Sequence, residues 1–323
     1  MNILVTGGAG YIGSITVELL VNNGHNVAVI DNLDRGHKKA VHPNAKLYIE
    51  NIASSAIVEN IIRENNIEYI LHFAADSQVG ESMVDPVKYF RNNNCAGLEL
   101  AATAAKCGIK KFIFSSTAAT YGEPASIPIK ESHPNLPTNT YGESKLVFEK
   151  YLKWIHRCHG MEYVSLRYFN ACGASEMFGE DHTPETHIIP IVLEVASGQR
   201  DHVDVFGNDY DTPDGTCIRD YVHVTDLALA HILALNVRGC EIYNLGIGHG
   251  FSVNEVIEAA KVVTGKPINA RVSGRRAGDP AVLVASSDKI KHDLGWIPRF
   301  ITLEQIIETA WKWKYSHPNG YGD

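Results

Sequence analysis

Residues 2–13 read NILVTGGAGYIG, an apolar run that passes through a glycine-rich turn into a helical pattern. Gly7, Gly10 and Gly13 have the spacing that permits a tight turn, a close approach of backbone amides to a pyrophosphate, and close packing of the helix. The start of that helix adds the positive end of its dipole. A strand, a glycine turn and a helix in this order predict the binding of a dinucleotide.

The next apolar run, residues 26–30, supports the same prediction. It ends at Asp31, at about the separation from the glycines where an acid hydrogen-bonds the ribose hydroxyls of adenosine. A carboxylate there would repel the 2'-phosphate of NADP, whereas the nearby Arg35 would attract it. We therefore expect NAD as the cofactor.

Beyond this unit, apolar strand patterns alternate with helical ones. Strands are predicted at 69–74, 111–116 and 163–166, with a helix over 98–107 between the first two. Such alternation predicts an α/β fold, a Rossmann-type doubly wound parallel sheet covered on both faces. Ligands of these sheets bind beyond the carboxyl ends of the strands, so residues 73–75, 115–117 and 168–170 should share one rim.

After residue 170 the sequence pattern changes and predicts longer loops, with prolines and a run of turn-forming residues at 206–211. We predict a Rossmann domain over 1–170, with a returning segment near 218–238, and a smaller mixed α/β substrate domain over 171–323. Two late helices should begin at capping boxes, one formed by Ser252 with Glu255 and the other by Thr302 with Gln305.

The composition limits the classes of partner. The net charge is -8, with acidic and basic residues spread along the chain, and this argues against nucleic acid. Apolar runs are too short for a membrane span, and the first residues lack a signal-peptide pattern. The 15 histidines and six cysteines are scattered, which predicts reduced thiols, a cytoplasmic protein and no metal site. The cysteines are Cys95, Cys107, Cys158, Cys172, Cys217 and Cys240.

A tyrosine and a lysine form the candidate catalytic pair. Tyr141 and Lys145 are four residues apart, so on a helix their side chains share one face. A lysine beside the phenol, in a cleft that also holds a cationic nicotinamide, favours the phenolate and lowers its pKa towards neutrality. Tyr141 would then act as a general acid or base, although the same spacing also occurs on surface helices.

The segment 275–280 lies between predicted elements and carries Arg275 and Arg276. Two adjacent guanidinium groups on a loop suit a diphosphate, and the alternative is a solvated basic turn.

Over essentially its whole length the chain resembles the UDP-glucose 4-epimerase family, within the extended short-chain dehydrogenases/reductases. The motifs TGGAGYIGS at 6–14 and Tyr141 with Lys145 mark the superfamily, whereas the stretch 206–224 is specific to the epimerases. The other matching stretches are 31–33, 72–75, 79–82, 112–119 and 166–170.

The resemblance implies interconversion of UDP-galactose and UDP-glucose, by transient oxidation at sugar position 4 with tightly held NAD and return of the hydride to the opposite face. It implies that Tyr141 is the base and acid, that Lys145 holds the nicotinamide ribose, and that Thr117 is the catalytic hydroxyl. The implied cofactor contacts are Gly7, Gly10, Tyr11, Ile12, Gly13, Asp31, Asn32, Asn51, Ile52, Phe73, Ala74, Ala75, Asn93, Ser115, Tyr141, Lys145 and Tyr168. The implied UDP-sugar contacts are Thr117, Tyr141, Phe169, Asn170, His187, Phe206, Arg219, Tyr221, Arg276, Asp279 and Leu283.

The resemblance leaves some alternatives open. Relatives have an acid after the third strand where this chain has Asn51, which would meet adenine as an amide. Ala118 and Ala119 follow Thr117 where sugar-nucleotide dehydratases carry an acid pair, and this argues against elimination of water. Epimerisation of another UDP sugar, UDP-glucuronate processing and a regulator that senses NAD remain alternatives. The helices near 98–107 and 141–158 form the dimer interface of relatives, so a homodimer is expected.

Overall fold

The computed structural model describes residues 1–276 and 279–322. The loop predicted at 275–280 includes Ala277 and Gly278, and the predicted second domain ends at Asp323; these three residues lie outside the described part of the chain.

Strands and helices alternate through the first half of the chain. The strands are β1 (Asn2–Thr6), β2 (Asn26–Asp31), β3 (Lys46–Ile49), β4 (Tyr69–His72), β5 (Lys111–Thr117) and β6 (Glu162–Tyr168). The helices are α1 (Tyr11–Asn22), α2 (Ser55–Glu64), α3 (Val79–Val84), α4 (Pro86–Tyr89), α5 (Gly97–Lys106) and α6 (Thr140–His159). A π-helical segment, Phe90–Ala96, joins α4 to α5, and short 3-10 turns cover Lys38–Ala40 and Ala118–Thr120.

The second half is less regular. Its strands are β7 (Asn170–Cys172), β8 (Val203–Phe206), β9 (Ile218–His223), β10 (Glu241–Leu245), β11 (Gly250–Ser252), β12 (Ala270–Ser273) and β13 (Val282–Leu283). Its helices are α7 (Ile188–Ala196), α8 (Val224–Ala234), α9 (Val253–Thr264), α10 (Asp288–Leu294) and α11 (Leu303–Ser316). The capping boxes predicted at Ser252 and Thr302 open α9 and α11.

The main sheet has the strand order β10-β6-β5-β4-β1-β2-β3, and its pairings are parallel. Alternation along β1 sends Ile3 and Val5 into a core with α1 and α8, whereas Leu4 faces a second core with α2, α5 and α6. The sheet is therefore covered by helices on both faces. The predicted Rossmann-type doubly wound fold is confirmed.

Two later elements return to this sheet. α8 packs against α1, and β10 adds the edge strand beside β6. The returning chain thus reaches Leu245, beyond the predicted 218–238, while β9 within that range belongs to a second sheet. The division of the chain near residue 170 stays a prediction.

The second unit is built on short strands and a separate core. β11, β9 and β13 form one sheet, in which β7 also pairs with β9, and β12 pairs with β8. α7, α9 and α11 enclose a core that contains Val192, Val256, Ile306 and Ile307. Within the described residues, every helix is too short or too polar to span a lipid bilayer.

Candidate active site

A single cleft of about 2460 Å³ runs beyond the carboxyl ends of the main strands and is closed on its other side by the second unit. The switch of strand order between β1 and β4 lies at this edge, where sheets of this kind bind ligands. All the residues predicted for the site line the cleft except Asn93 and Ser115.

The glycine turn forms one end of the cleft. Gly7 has φ of +71°, and a Cβ there would lie 2.5 Å from the backbone nitrogen of Ala74. A Cβ on Gly13 would overlap the carbonyl oxygen of Gly7. Because these positions admit only glycine, the backbone beside the start of α1 stays open to a close ligand. This cradle fits a dinucleotide pyrophosphate.

Asp31, at the end of β2, lies beside the glycine turn. Asp31 accepts hydrogen bonds from the backbone N–H groups of Ala9, at 3.0 Å, and Leu33, at 2.9 Å. Burial raises its pKa, and these two bonds lower it in part. Arg35 is engaged elsewhere, since its guanidinium donates to the carbonyl of Thr183 at 2.8 Å. These contacts suit the ribose hydroxyls of NAD.

At the adenine end, Asn51 follows β3. Its side-chain oxygen accepts from the backbone N–H of Ala53 at 2.8 Å, so its amide N–H₂ is the group with which it can meet a base.

Tyr141, Lys145 and Thr117 meet on the floor of the cleft. Asn139 caps the start of α6 by accepting from the Gly142 N–H at 2.8 Å, and this places Tyr141 in the first turn. The Thr117 side chain, at the end of β5, lies beside the Tyr141 phenol and lowers its pKa. One turn further along α6, the Lys145 ammonium donates to the Ser115 carbonyl at 2.9 Å, and its nitrogen lies 5.9 Å from the Tyr141 ring centroid.

The groups of the chain alone keep the Tyr141 phenol protonated. Burial raises the pKa of Tyr141 to about 12, and the Thr117 side chain lowers it only in part. Burial lowers the pKa of Lys145 to about 7, against the charges of Asp76 and Glu149. The lysine therefore does not bring the phenol towards neutrality by itself. A further positive charge is required, and a nicotinamide ring would supply it.

Asn93 and Ser115 lie behind the cleft wall. Asn93, in the π-helical segment, donates to the Asp76 carbonyl and the Ser144 hydroxyl and accepts from the Asp76 N–H, each at 2.9 to 3.0 Å. The Ser115 hydroxyl bonds to Nε2 of His231 at 2.9 Å. Both side chains shape the wall through the residues that they hold.

Charged residues from the second unit face the trio across the cleft. Arg219 forms an ion pair with Asp279 at 2.5 Å. The Arg276 guanidinium lies 4.0 Å from the centroid of the Phe206 ring. Two guanidinium groups within one cleft can bind a diphosphate, and the neighbouring aromatic rings offer surfaces for a base.

The remaining predicted substrate contacts also line the cleft. Asn170 donates to the Asp220 carbonyl at 3.1 Å. Tyr221 is buried in the core of the second unit. Phe169 is buried in a small apolar cluster against which Leu283 packs.

A cluster that the sequence analysis missed contains His187. Glu180, His182, Glu185 and His187 bring two imidazole and two carboxylate ligand atoms within 4.8 Å of one another. Burial would lower the pKa of His187, but the carboxylates, chiefly that of Glu180, raise it. The sequence signal for this cluster is the spacing E-x-H-x-x-E-x-H at 180–187. It does not show when only cysteines and histidines are considered, because half of its ligands are glutamates.

Several known proteins resemble this chain over nearly its whole length. The family model described as the NAD dependent epimerase/dehydratase family matches residues 3–246. A UDP-glucose 4-epimerase of Lacticaseibacillus casei is 51% identical, over all of this chain and 99% of that protein. A crystal structure of a UDP-glucose 4-epimerase is 50% identical with a TM-score of 0.96, over 99% of both chains. The Bifidobacterium longum UDP-glucose 4-epimerase in complex with NAD+ and UDP is 39% identical with a TM-score of 0.94, over 99% of this chain and all of that one.

Proposed function

The chain belongs to the NAD dependent epimerase/dehydratase family, and on that basis we propose that it interconverts UDP-glucose and UDP-galactose by inverting carbon 4 of the sugar. One observation carries the proposal. The Tyr141 phenol, beside Thr117 and one helical turn from Lys145, lines one cleft together with a glycine cradle for a dinucleotide and a pair of arginines for a diphosphate. Such a cleft joins acid–base chemistry to a nucleotide sugar.

Tyr141 moves the proton of the reaction. Its phenolate takes the proton of the sugar 4-hydroxyl, directly or through the Thr117 hydroxyl, and the phenol returns a proton when the hydroxyl forms again. Thr117 is suited to the relay because a hydroxyl both donates and accepts. Bound NAD supplies the hydride chemistry, removing a hydride from carbon 4 and returning it to the opposite face.

The chain holds NAD through the glycine turn, Asp31 and Asn51 on the main sheet. Lys145 binds NAD at the nicotinamide end. Its ammonium donates to the Ser115 carbonyl, on the same cleft floor as Tyr141. Retention of NAD matters, because each turnover regenerates the cofactor in place.

The two ends of the substrate must be bound with different strengths. Inversion requires the sugar to present its other face, so the diphosphate must be held firmly and the sugar loosely. Arg219 and Arg276 provide the firm end, with Asp279, Phe206 and Tyr221 at the nucleoside. Phe169 and Leu283 offer the sugar end apolar surface, which carries no hydrogen bond that rotation would break.

The direct test incubates the purified protein with UDP-galactose and follows UDP-glucose, with and without added NAD. We expect conversion in both directions to one equilibrium ratio. An absence of conversion under both conditions would overturn the proposal. Parallel assays with UDP-N-acetylgalactosamine test the space beside Leu283.

We also propose that the protein is a homodimer joined through α5 and α6. These helices pack side by side, and each exposes one large apolar side chain: Leu98 on α5, at 37% exposure, and Trp154 on α6, at 60%. Exposed large apolar side chains on two neighbouring helices support an interface there. Light scattering should give twice the chain mass, and Trp154→Glu should reduce it to one chain. Val262→Glu, at another exposed apolar position, is the matched control and should leave the dimer intact.

Finally, we propose a cytosolic location, which is supported by the cysteines. All six are free thiols, as expected in a reducing compartment. Fractionation of the source cells tests this location.

A further inference from the structure

A compact group of four side chains lies in the cleft wall outside the catalytic trio. It consists of Glu180, His182, Glu185 and His187, in the loop that leads into α7. We propose that this group is a binding site for one divalent transition-metal ion, with zinc as the best fit. The proposal is independent of the epimerase activity and rests on the ligand set.

The distances suit a small cation. Nδ1 of His182 and Nδ1 of His187 each lie 3.0 Å from Oε1 of Glu180. His187 Nδ1 is 2.8 Å from Oε1 of Glu185, and His182 Nδ1 is 4.0 Å from Oε2 of the same residue. A tetrahedral zinc ion with its usual bond lengths has ligand atoms roughly 3.3–3.5 Å apart. Three of the separations given above are shorter than this and one is longer, and all four ligand atoms lie within 4.8 Å of one another, so side-chain movement without rearrangement of the loop would close the shell.

The ligand chemistry selects the class of metal. Two imidazole nitrogens with two carboxylates are a common donor set for zinc and its neighbours in the first transition row. Calcium and magnesium prefer shells made wholly of oxygen and would leave the imidazoles unused.

Neighbouring residues also hold the ligand side chains in place. Oε1 of Glu185 accepts from the backbone N–H groups of Thr186, at 2.6 Å, and His187, at 2.7 Å, and these bonds fix the carboxylate. The His182 ring packs edge-on against Tyr11, with centroids 6.1 Å apart, and the Tyr11 hydroxyl donates to the Gly173 carbonyl at 2.5 Å. Supporting contacts of this kind orient metal ligands.

An ion can reach the group. The two carboxylates are nearly buried, whereas the side chains of His182 and His187 are 28% and 43% exposed, and all four residues line the cleft. A histidine that binds a metal through Nδ1 keeps Nε2–H as a donor, so His187 can serve the metal and the substrate together. Binding must displace protons from the imidazoles into solvent, so affinity should rise with pH.

The test uses full-length protein freed of metal by a chelator and dialysed. Zinc is titrated by calorimetry, and cobalt is titrated separately as a spectroscopic probe. We expect one zinc per chain, proton release on binding, and the intense visible absorption of four-coordinate cobalt at one equivalent. Wild-type protein that lacks saturable zinc binding at micromolar concentrations, or lacks the cobalt bands, would overturn the proposal without any variant.

Two substitutions locate the site. Glu180→Gln and His182→Gln should each weaken zinc binding by roughly tenfold or more, and together they should abolish the cobalt bands. His292→Gln is the matched control, because it removes an exposed histidine that also pairs with a carboxylate, Asp293 at 2.7 Å. Equal zinc affinity in the wild type and the folded double variant would overturn the assignment. Circular dichroism establishes that each variant is folded.

Discussion

At the scale of single residues, the chemistry depends on the Tyr141 phenol. Tyr141→Phe removes the group that carries the proton and keeps the ring in place. We expect turnover to fall by about 10²–10⁴-fold, because positioned acid–base groups contribute that much. UDP binding should change little, since the diphosphate is held on the far side of the cleft. The measurements are kcat with UDP-galactose and UDP affinity by calorimetry; retained turnover would remove the assignment.

A second prediction concerns the charge around that phenol. Burial raises the pKa of Tyr141 to about 12, so the chain alone keeps it protonated at neutral pH. In the working enzyme, the cationic nicotinamide and Lys145 must together favour the phenolate. The base form gains with rising pH, so kcat should rise through the pKa of Tyr141 in the loaded enzyme. Lys145 carries its charge only below its own pKa of about 7, so Lys145→Met should move that rise to higher pH where NAD brings the pKa of the phenol near neutrality.

The pH profile of kcat for both proteins tests this. Thermal unfolding with NAD present is the control that shows whether the variant still holds its cofactor. An unchanged profile in a variant that retains NAD would show that Lys145 acts by position alone.

Local sequence patterns predict where these residues lie. They do not predict properties that depend on contacts between distant segments of the chain. The spacing of Tyr141 and Lys145 fixes their shared helix face, and the glycine turn has a local steric cause. The high pKa of the phenol arises from burial by segments far apart in the chain. The convergence of Glu180 and Glu185 on His187 depends on how one loop folds back, which residue types do not reveal.

At the scale of secondary-structure elements, helix α6 is tied to the sheet by a buried ion pair. Glu149, two turns beyond Tyr141, receives hydrogen bonds from Arg167 on β6, at 2.9 and 2.5 Å, and from Ser116 on β5 at 2.6 Å. Both charged side chains are almost fully buried. This pair therefore fixes the helix that carries the catalytic groups to the strand that ends beside them.

Arg167→Met would leave the Glu149 carboxylate buried without its partner. We expect the free energy of unfolding to fall by about 3–5 kcal/mol. The double variant Glu149→Leu with Arg167→Met should be more stable than Arg167→Met alone, because neither charge is then stranded. Urea unfolding of the two single variants and the double variant completes the cycle. A double variant whose losses simply add would show that the two groups do not interact.

The helices and strands themselves could largely be predicted from the sequence. Short apolar runs predicted β1, β4, β5 and β6, and the capping boxes predicted the starts of α9 and α11. The same local signals could not tell which sheet a later strand would join. β10 pairs with β6 in the main sheet, whereas β9, which is separated from β10 by helix α8, pairs in the second. Partner choice depends on packing that no short window contains.

At the scale of the whole molecule, the end of the chain joins its two units. Tyr321 stacks on His37, which follows β2, with ring centroids 4.9 Å apart. Its hydroxyl accepts from the Gly179 N–H at 3.1 Å, and its backbone N–H donates to Asp181 at 2.9 Å. Residues from the beginning, middle and end of the chain therefore meet at one tyrosine.

Tyr321→Ala should lower the midpoint of thermal unfolding, because it removes half-buried aromatic contacts together with a hydrogen bond to Gly179. We expect a loss of roughly 2 kcal/mol, below the cost of removing a fully buried ring. Tyr315→Ala is the matched control, since that tyrosine is 78% exposed on α11. A similar effect of the two substitutions would show that the terminal contacts do not stabilise the fold.

The late strand β10 has a consequence for biosynthesis. The main sheet cannot gain its edge strand β10 until residues 241–245 have left the ribosome. Until then the nascent chain carries β6 as an open edge that can pair with another chain. A ribosome that stalls between residues 170 and 241 should therefore release a fragment prone to aggregation, and chaperone demand should be greatest during that interval.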